Sequence, residues 1–169
     1  MRVMPKLMIP EQLRRHYRPE PVRVLFVEES APAGGTFFYS ANSRLFSATR
    51  EAFSRVGDDA RDDAAFLARF QAAGCWVWDI CSRPVNGLPA PQRRVLLEAS
   101  APRLDRLLLS ISPRFVVSVK KGDVAQIVAT AAYRARMPAD RILALPFPVM
   151  QWREPYIRDL ARFLSTVGL

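Results

Sequence analysis

Four short apolar segments, separated by longer stretches with helical periodicity, constrain the fold of this chain more than any other feature. The segments are residues 22–27, 75–80, 115–119 and 141–145. The first, VRVLFV, is mostly apolar and β-branched, as expected for a strand that is buried on both faces of a parallel sheet. Because strands that alternate with helices need crossover connections, the sequence predicts a three-layer α/β/α fold around a mainly parallel, four-stranded sheet.

The intervening stretches carry their own helix signals. Asn42 or Ser43 is suited to cap a helix whose apolar residues recur at helical spacing, and Asp62 is suited to begin the next one. Pro102 is expected to disturb the long helix in which it lies. Helices are predicted over about 43–56, 62–74, 91–111, 122–137 and 154–167.

Length and proline content predict the domain organisation. A chain of 169 residues is the size of one domain that buries its own core. Residues 1–21 contain four prolines and scattered charge, so we expect an extended N-terminal arm there. Residues 22–169 are predicted to form a single domain, since they contain no internal repeat and no linker.

Cysteine, histidine and motif content exclude several classes of protein. Two cysteines and one histidine cannot supply a four-ligand zinc site or a four-cysteine iron-sulfur cluster. The chain has no Walker phosphate loop, no complete dinucleotide-binding glycine motif and no serine nucleophile elbow. We therefore expect neither a metal nor another cofactor, and no hydrolase triad.

The charge balance favours a polyanionic partner. The chain has 22 Arg and 3 Lys and a net charge of +9, and neutralising phosphates provides affinity that does not depend on sequence. Nucleic acid is the first candidate, and a drift toward arginine with no partner is the alternative. No segment is long and apolar enough for a bilayer or a secretory signal, so we expect a cytoplasmic protein without a membrane partner.

Candidate site residues follow from the predicted sheet. In such a sheet, ligands bind outside the carboxyl ends of the strands, which here means loops 28–39, 79–86, 120–123 and 146–153. Glu29 and Asp79 lie at two strand ends, where carboxylates can stabilise a developing cation or orient water. Phe37 and Phe38 can stack on a planar base, although the same rings also fit a core.

These segments resemble the uracil-DNA glycosylase superfamily, and most closely its family 4 branch. The sequence VLFVEESAP (24–32) followed by GTFF (35–38) is similar to the first motif of that superfamily. Three later segments resemble its further motifs in the same order: WDI with RPVN (78–80 and 83–86), ISPRFVV (111–117) and LPFPV (145–149). The cysteines that hold the family 4 iron-sulfur cluster are missing.

Four positions depart from the motifs of the superfamily. Glu28 stands where the first motif has glycine, and Ala31 where it has proline. Asp79 replaces the asparagine that reads the base, and Phe147 replaces a histidine. Losing the histidine removes a donor to the leaving base, and deleting one such donor costs about 10²–10³ in rate. Asp79 offers only acceptors when it is ionised.

The resemblance implies roles for the residues at matching positions. Phe38 would be the platform for an extruded base with Phe37 and Phe147 beside it, and Asp79 would face the base edge. Glu29 and Ser30 would lie near the sugar and a water molecule. Lys120 and Lys121 precede a helix and suit either phosphate or a solvated turn, and Arg83 suits either phosphate or an acidic neighbour. The loop expected to enter or contact DNA comprises Met150, Gln151, Trp152 and Arg153.

The implied function is hydrolysis of the N-glycosidic bond of a flipped, damaged base in DNA, as in base excision repair. Uracil, hypoxanthine and xanthine are the candidate bases. The enzyme would be a monofunctional DNA glycosylase and a monomer. Two alternatives stay open, namely a catalytically silent module on the same fold that binds nucleic acid or a protein, and a hydrolase of free nucleosides.

Overall fold

A computed structural model describes residues 10–169 and confirms the predicted α/β architecture. The sheet has four strands, all parallel, in the order β2-β1-β3-β4. Each predicted strand is present, although β1 begins two residues later than expected and extends three residues further. The strands are β1 (Val24–Ser30), β2 (Cys75–Cys81), β3 (Phe115–Val119) and β4 (Ile142–Leu145).

Helices flank this sheet on both faces. Phe26 of β1 packs against Phe70 on one face, whereas the guanidinium of Arg103 lies over the Trp78 ring on the other face. Helices α2, α3 and α6 cover the first face, and α4 and α5 cover the second. The helices are α1 (Pro10–His16), α2 (Arg44–Arg55), α3 (Asp63–Ala72), α4 (Ala90–Ile111), α5 (Asp123–Arg134) and α6 (Arg153–Val167).

The predicted helix caps form hydrogen bonds. Ser43 precedes α2, and its hydroxyl accepts a bond of 3.1 Å from the backbone N–H of Phe46. Asp62 precedes α3, and its carboxylate accepts a bond of 2.7 Å from the N–H of Ala65. These side chains satisfy backbone donors that the first turn of a helix leaves without partners.

Helix α4 continues through Pro102 without a break, contrary to the expected disturbance. Leu97 lies before the proline and Leu104 and Leu108 lie after it, and all three are buried. Burying one leucine contributes about 1.5–3 kcal/mol, so three of them outweigh the loss of a single backbone bond at the proline.

Residues 10–16 of the predicted extended arm instead form helix α1. The indole N–H of Trp76 donates a bond of 2.9 Å to the carbonyl of Arg14. The ring of Tyr17 stacks on that of Tyr39, with centroids 5.3 Å apart. These contacts hold the helix against the domain, and they compensate for the entropy of ordering a short helix. Residues 1–9 lie outside the described part of the chain.

Strand β2 forms one edge of the sheet, and that edge is covered. The backbone N–H of Val77 donates a bond of 2.7 Å to the hydroxyl of Tyr39. Tyr39 belongs to a 3-10 turn, Phe38–Ser40, that packs against α1. Within residues 10–169, no helix is both long enough and apolar enough to cross a bilayer.

Candidate functional site

A cavity of about 630 Å³ opens at the carboxyl ends of the strands. Chain connectivity changes direction between β1 and β3, because β2 lies on one side of β1 and β3 on the other. Sheets of this kind bind ligands at such a switch point. The volume falls within the range of roughly 300–1,000 Å³ that is typical of small-molecule sites.

The cavity brings together six of the thirteen side chains that the sequence analysis singled out. Glu28, Glu29 and Ser30 come from the end of β1, Val119 and Lys120 from the end of β3, and the remainder from the loops. The predicted residues in its wall are Glu29, Ser30, Phe37, Phe38, Lys120 and Phe147.

Asp79 is not part of this wall, so the expectation that it faces a bound base is not met. Its carboxylate is 4% exposed and forms a buried ion pair with Arg14 of α1. Strand geometry also separates Asp79 from Glu29. Asp79 pairs in register with Glu28, and successive side chains of a strand point to opposite faces. Glu29 therefore points to the face opposite Asp79, and the two carboxylates do not converge.

Glu28 is the carboxyl that the sequence analysis missed. It lies on the same sheet face as Asp79, lines the cavity and is 8% exposed. Within residues 10–169 it forms no hydrogen bond or ion pair. Burial raises the pKa of Glu28 well above its usual value, the negative charge of Asp79 raises it further, and the nearby Arg14 partly opposes both. The residue pattern contained a signal, since Glu28 and Asp79 both stand at the end of a buried strand.

Glu29 is held between two cations on the opposite face. Its Oε2 accepts a bond of 2.6 Å from the Nζ of Lys120, and its Oε1 lies 3.3 Å from the Nε of Arg93. The first cation follows β3 and the second belongs to α4. The carboxylate is therefore positioned by two separate elements and presents a fixed charge to the cavity.

Ser30 and Asn86 close the cavity wall next to Glu29. The hydroxyl of Ser30 accepts a bond of 3.1 Å from the N–H of Val85. The side-chain oxygen of Asn86 accepts a bond of 3.2 Å from the N–H of Ala33. Both bonds join the loop after β1 to the loop after β2, so these residues shape the wall.

The three predicted aromatic rings differ in how they are packed. Phe38 is only 2% exposed and makes edge contacts with Tyr39 and Phe46, with centroids 5.1 and 5.6 Å away. Phe37 is also buried, and its N–H donates a bond of 2.7 Å to the side-chain oxygen of Asn42. Phe147 is half-buried. Phe38 thus forms a fixed floor, and Phe147 has the most accessible ring of the three.

Two residues beside the cavity adopt unusual backbone conformations. Lys120 has φ of +149° and Met150 has φ of +46°, values that residues with a side chain rarely adopt. The conformation at Lys120 is held by a bond of 3.0 Å from its N–H to the carbonyl of Leu145 and one of 3.0 Å from the Ser118 hydroxyl to its own carbonyl. Strain of this kind clusters at functional sites.

The loop after β4 forms an exposed apolar tip near the cavity mouth. Met150 is 84% exposed and Trp152 is 47% exposed, and Gln151 between them is exposed as well. Arg153 is less available, because its guanidinium lies 2.7 Å from Glu51 and 3.3 Å from the Ser47 hydroxyl. The contact of this loop with DNA stays a prediction.

Two other predicted DNA contacts lie outside the cavity. Arg83 and Lys121 are both exposed, and neither lines the cavity wall. They therefore provide no group for chemistry inside the cavity.

The described residues contain no cluster of three or more His, Cys, Asp or Glu side chains that is placed to hold a metal ion. Cys75 and Cys81 are free and buried at opposite ends of β2. Burial raises the pKa of the Cys75 thiol to about 12, which leaves it protonated and poorly nucleophilic.

Comparison of the sequence with protein-family models and with curated proteins finds no match. The function must therefore be argued from the geometry of the cavity and the residues around it.

Proposed function

We propose that the protein is a DNA glycosylase that binds a flipped, damaged base in the cavity and hydrolyses its N-glycosidic bond. The observation that carries this proposal is the composition of one cavity, in which Phe37, Phe38 and Phe147 share the wall with Glu29 and Lys120. Aromatic rings bind flat heterocycles, and charged groups of both signs suit a reaction that separates charge.

The chemistry follows from the charges that develop along the reaction. The bond between the sugar carbon and the base nitrogen breaks, so positive charge builds on the sugar and negative charge on the base. Water then supplies hydroxide to the sugar and a proton to the base. The Glu29 carboxylate suits the sugar side, where it stabilises the cation and orients the water. Its partner Lys120 is a cation that can face the departing base.

The surface around the mouth supports a DNA substrate. Exposed Met150 and Trp152 are apolar groups that can enter the space left by a flipped base. Arg44 is exposed at the cavity wall, and the chain carries a net charge of +9. Extruding a base costs a few kcal/mol of stacking, which apolar insertion and phosphate contacts help to offset.

The direct test is base release from a panel of duplex and single-stranded oligonucleotides that contain uracil, hypoxanthine or xanthine. Alkali-labile sites should form at one or more of these lesions. Glu29→Gln should reduce the rate by about 10²–10⁴-fold, the usual contribution of a general base. The matched control is Glu98→Gln, which changes an exposed glutamate on α4 that pairs with Arg94 and should leave the rate unchanged.

Two results would contradict the proposal. One is the absence of base release from every lesion in the panel, and the other is equal release by Glu29→Gln and the unmodified protein. Salt-sensitive DNA binding without base release would favour a catalytically silent nucleic-acid-binding module. Release of base from free nucleosides but not from oligonucleotides would favour a nucleoside hydrolase.

A further inference from the structure

We propose that Glu28 determines which ligand the cavity accepts, by donating a hydrogen bond from a neutral carboxylic acid to a carbonyl oxygen of an uncharged base. This inference deepens the proposed function, because it assigns a ligand class to the same cavity. It does not require that the cavity catalyse any reaction.

The position of Glu28 carries the inference. Its side chain leaves β1 on the face that is packed with aromatic residues, where Phe26 contacts Phe70 and Phe70 contacts Phe38. Phe38 and Glu28 both line the cavity. A flat ligand that rests near Phe38 therefore has Glu28 as its polar neighbour on that face.

The hydrogen-bonding capacity of Glu28 is unused. No hydrogen bond or ion pair reaches its carboxyl group from any other residue in the described part of the chain. Its carboxyl oxygens are not among the fully buried polar atoms that lack a partner, so they open onto the cavity whose wall Glu28 helps to form. A ligand in the cavity can therefore supply the partner that the protein does not.

The groups around Glu28 favour its uncharged form. Asp79 on β2 lies next to it in register and disfavours a second negative charge, and Arg14, which pairs with Asp79, offsets this effect only in part. Tyr39 from the 3-10 turn and Tyr156 from α6 also lie close enough to sense its charge, and burial raises the pKa of both phenols, so they stay neutral. Glu29 and Lys120 line the same cavity but pair with each other.

A neutral carboxylic acid has one donor and one acceptor side by side, whereas an ionised carboxylate has acceptors only. The neutral form pairs with a ring edge that has a carbonyl next to an N–H, as in uracil and hypoxanthine. An ionised Glu28 would instead face the lone pairs of that carbonyl. Neutral Glu28 thus suits an uncharged base with a carbonyl and N–H edge.

The test measures binding of free uracil and free hypoxanthine to the full chain by calorimetry, from about pH 5 to about pH 8. Burial raises the pKa of Glu28, so its proton is lost at higher pH than that of an ordinary glutamate, and affinity should fall as the pH rises. Affinity for the better of the two bases should fall about tenfold or more across this range. Glu28→Gln keeps one donor and one acceptor, so it should bind with an affinity that does not change with pH. Glu28→Leu should weaken binding at least tenfold at the lower pH.

Asp79→Asn provides a second test, in which the midpoint of the pH profile of binding is measured. A purely structural role of Glu28 would leave this midpoint unchanged. Removing the neighbouring negative charge makes ionisation of Glu28 easier, so the midpoint of the pH profile should shift to lower pH. Glu98→Gln is the control, and its profile should match that of the unmodified protein. Circular dichroism of each variant shows whether it is folded.

The inference is overturned if Glu28→Gln retains the pH dependence of the unmodified protein, or if neither base binds at the lower pH. Free-base binding is measured without base release, so the two proposals fail independently. Binding with the expected pH profile but no activity on any lesion would reject the glycosylase and keep the assignment of Glu28. Base release from a lesion, together with an affinity for the free base that does not change with pH, would keep the glycosylase and reject the assignment of Glu28.

Discussion

Gly74, which joins α3 to β2, has a backbone conformation that only glycine adopts without strain. Its φ is +79°, and a Cβ atom there would lie 2.7 Å from the Cγ and 2.8 Å from the Cβ of Arg23. Its carbonyl accepts bonds of 2.7 and 3.0 Å from the N–H groups of Arg23 and Val24. A side chain at position 74 would therefore push against the start of β1.

We expect Gly74→Ala to lower the free energy of unfolding by about 2–4 kcal/mol, since left-handed strain of about 1–2 kcal/mol is joined by a clash. Gly57→Ala is the matched control. Gly57 also has positive φ, at +96°, but nothing lies within 4 Å of the added atom, so only the strain is expected. Urea denaturation of both variants provides the comparison. If both variants lost the same free energy of unfolding, the clash with Arg23 would have no energetic effect.

At the same scale, the candidate site was only partly predictable from sequence. Glu29 and Lys120 follow buried strands, and the switch-point rule places both at one sheet edge, so their meeting in the cavity was foreseeable. The pairing of Asp79 with Arg14 was not. It depends on the register between β1 and β2 and on the docking of α1, and neither is encoded in local residue patterns.

At the scale of elements, α1 is tied to the domain by an ion pair behind the cavity. Arg14 is buried and its guanidinium contacts the buried Asp79 carboxylate. It also lies 5.3 Å from the centroid of the Phe37 ring. Removing one partner of a buried pair leaves the other charge without compensation, which typically costs about 3–5 kcal/mol.

We therefore expect Arg14→Leu to lower the free energy of unfolding by about 3 kcal/mol, and the double variant with Asp79→Leu to regain part of that loss. Arg15→Leu is the control on the same helix, because Arg15 is exposed and its pair with Glu11 is worth about 0–1 kcal/mol. Thermal and urea unfolding measure the stability of the three variants. A loss for Arg14→Leu no greater than that for Arg15→Leu would contradict the importance of the buried pair.

Most elements could be predicted because their signals are local. Strand β3 was predicted at its observed bounds, and the caps at Ser43 and Asp62 were read from the side chains that form them. Helix α1 was missed, since prolines suggested an extended chain. Its stability depends on contacts with Trp76 and Tyr39 that are distant in sequence.

At the scale of the whole molecule, the buried carboxyl pair makes stability depend on pH. Burial raises the pKa of Asp79 to about 6 and raises that of Glu28 as well. In the unfolded chain both groups lose their protons near pH 4. Between that pH and the folded values, the folded state binds more protons, so the free energy of unfolding falls as pH rises.

We expect a fall of at least about 1 kcal/mol between pH 5 and pH 8, because Asp79 with its pKa of about 6 contributes about 1.4 kcal/mol for each pKa unit. Glu28 acts in the same direction. Glu28→Gln should show a smaller fall and should be more stable than the unmodified protein at pH 8. Acids with lowered pKa values, such as Glu51 and Glu154, affect stability only below this pH range. Urea denaturation at several pH values measures the free energy of unfolding. If this free energy fell with pH by the same amount in the unmodified protein and in Glu28→Gln, the role of Glu28 would be contradicted.

The covered edge of β2 affects whether the chain associates with other copies of itself. An open strand edge is a template for pairing with a strand of another chain, and it promotes aggregation. Here the Tyr39 hydroxyl accepts a bond from the N–H of Val77, and α1 packs against the 3-10 turn that contains Tyr39. The helix whose Arg14 neutralises Asp79 thus also protects the sheet from intermolecular pairing, so a chain that folded without α1 would have both an unpaired buried charge and an adhesive edge.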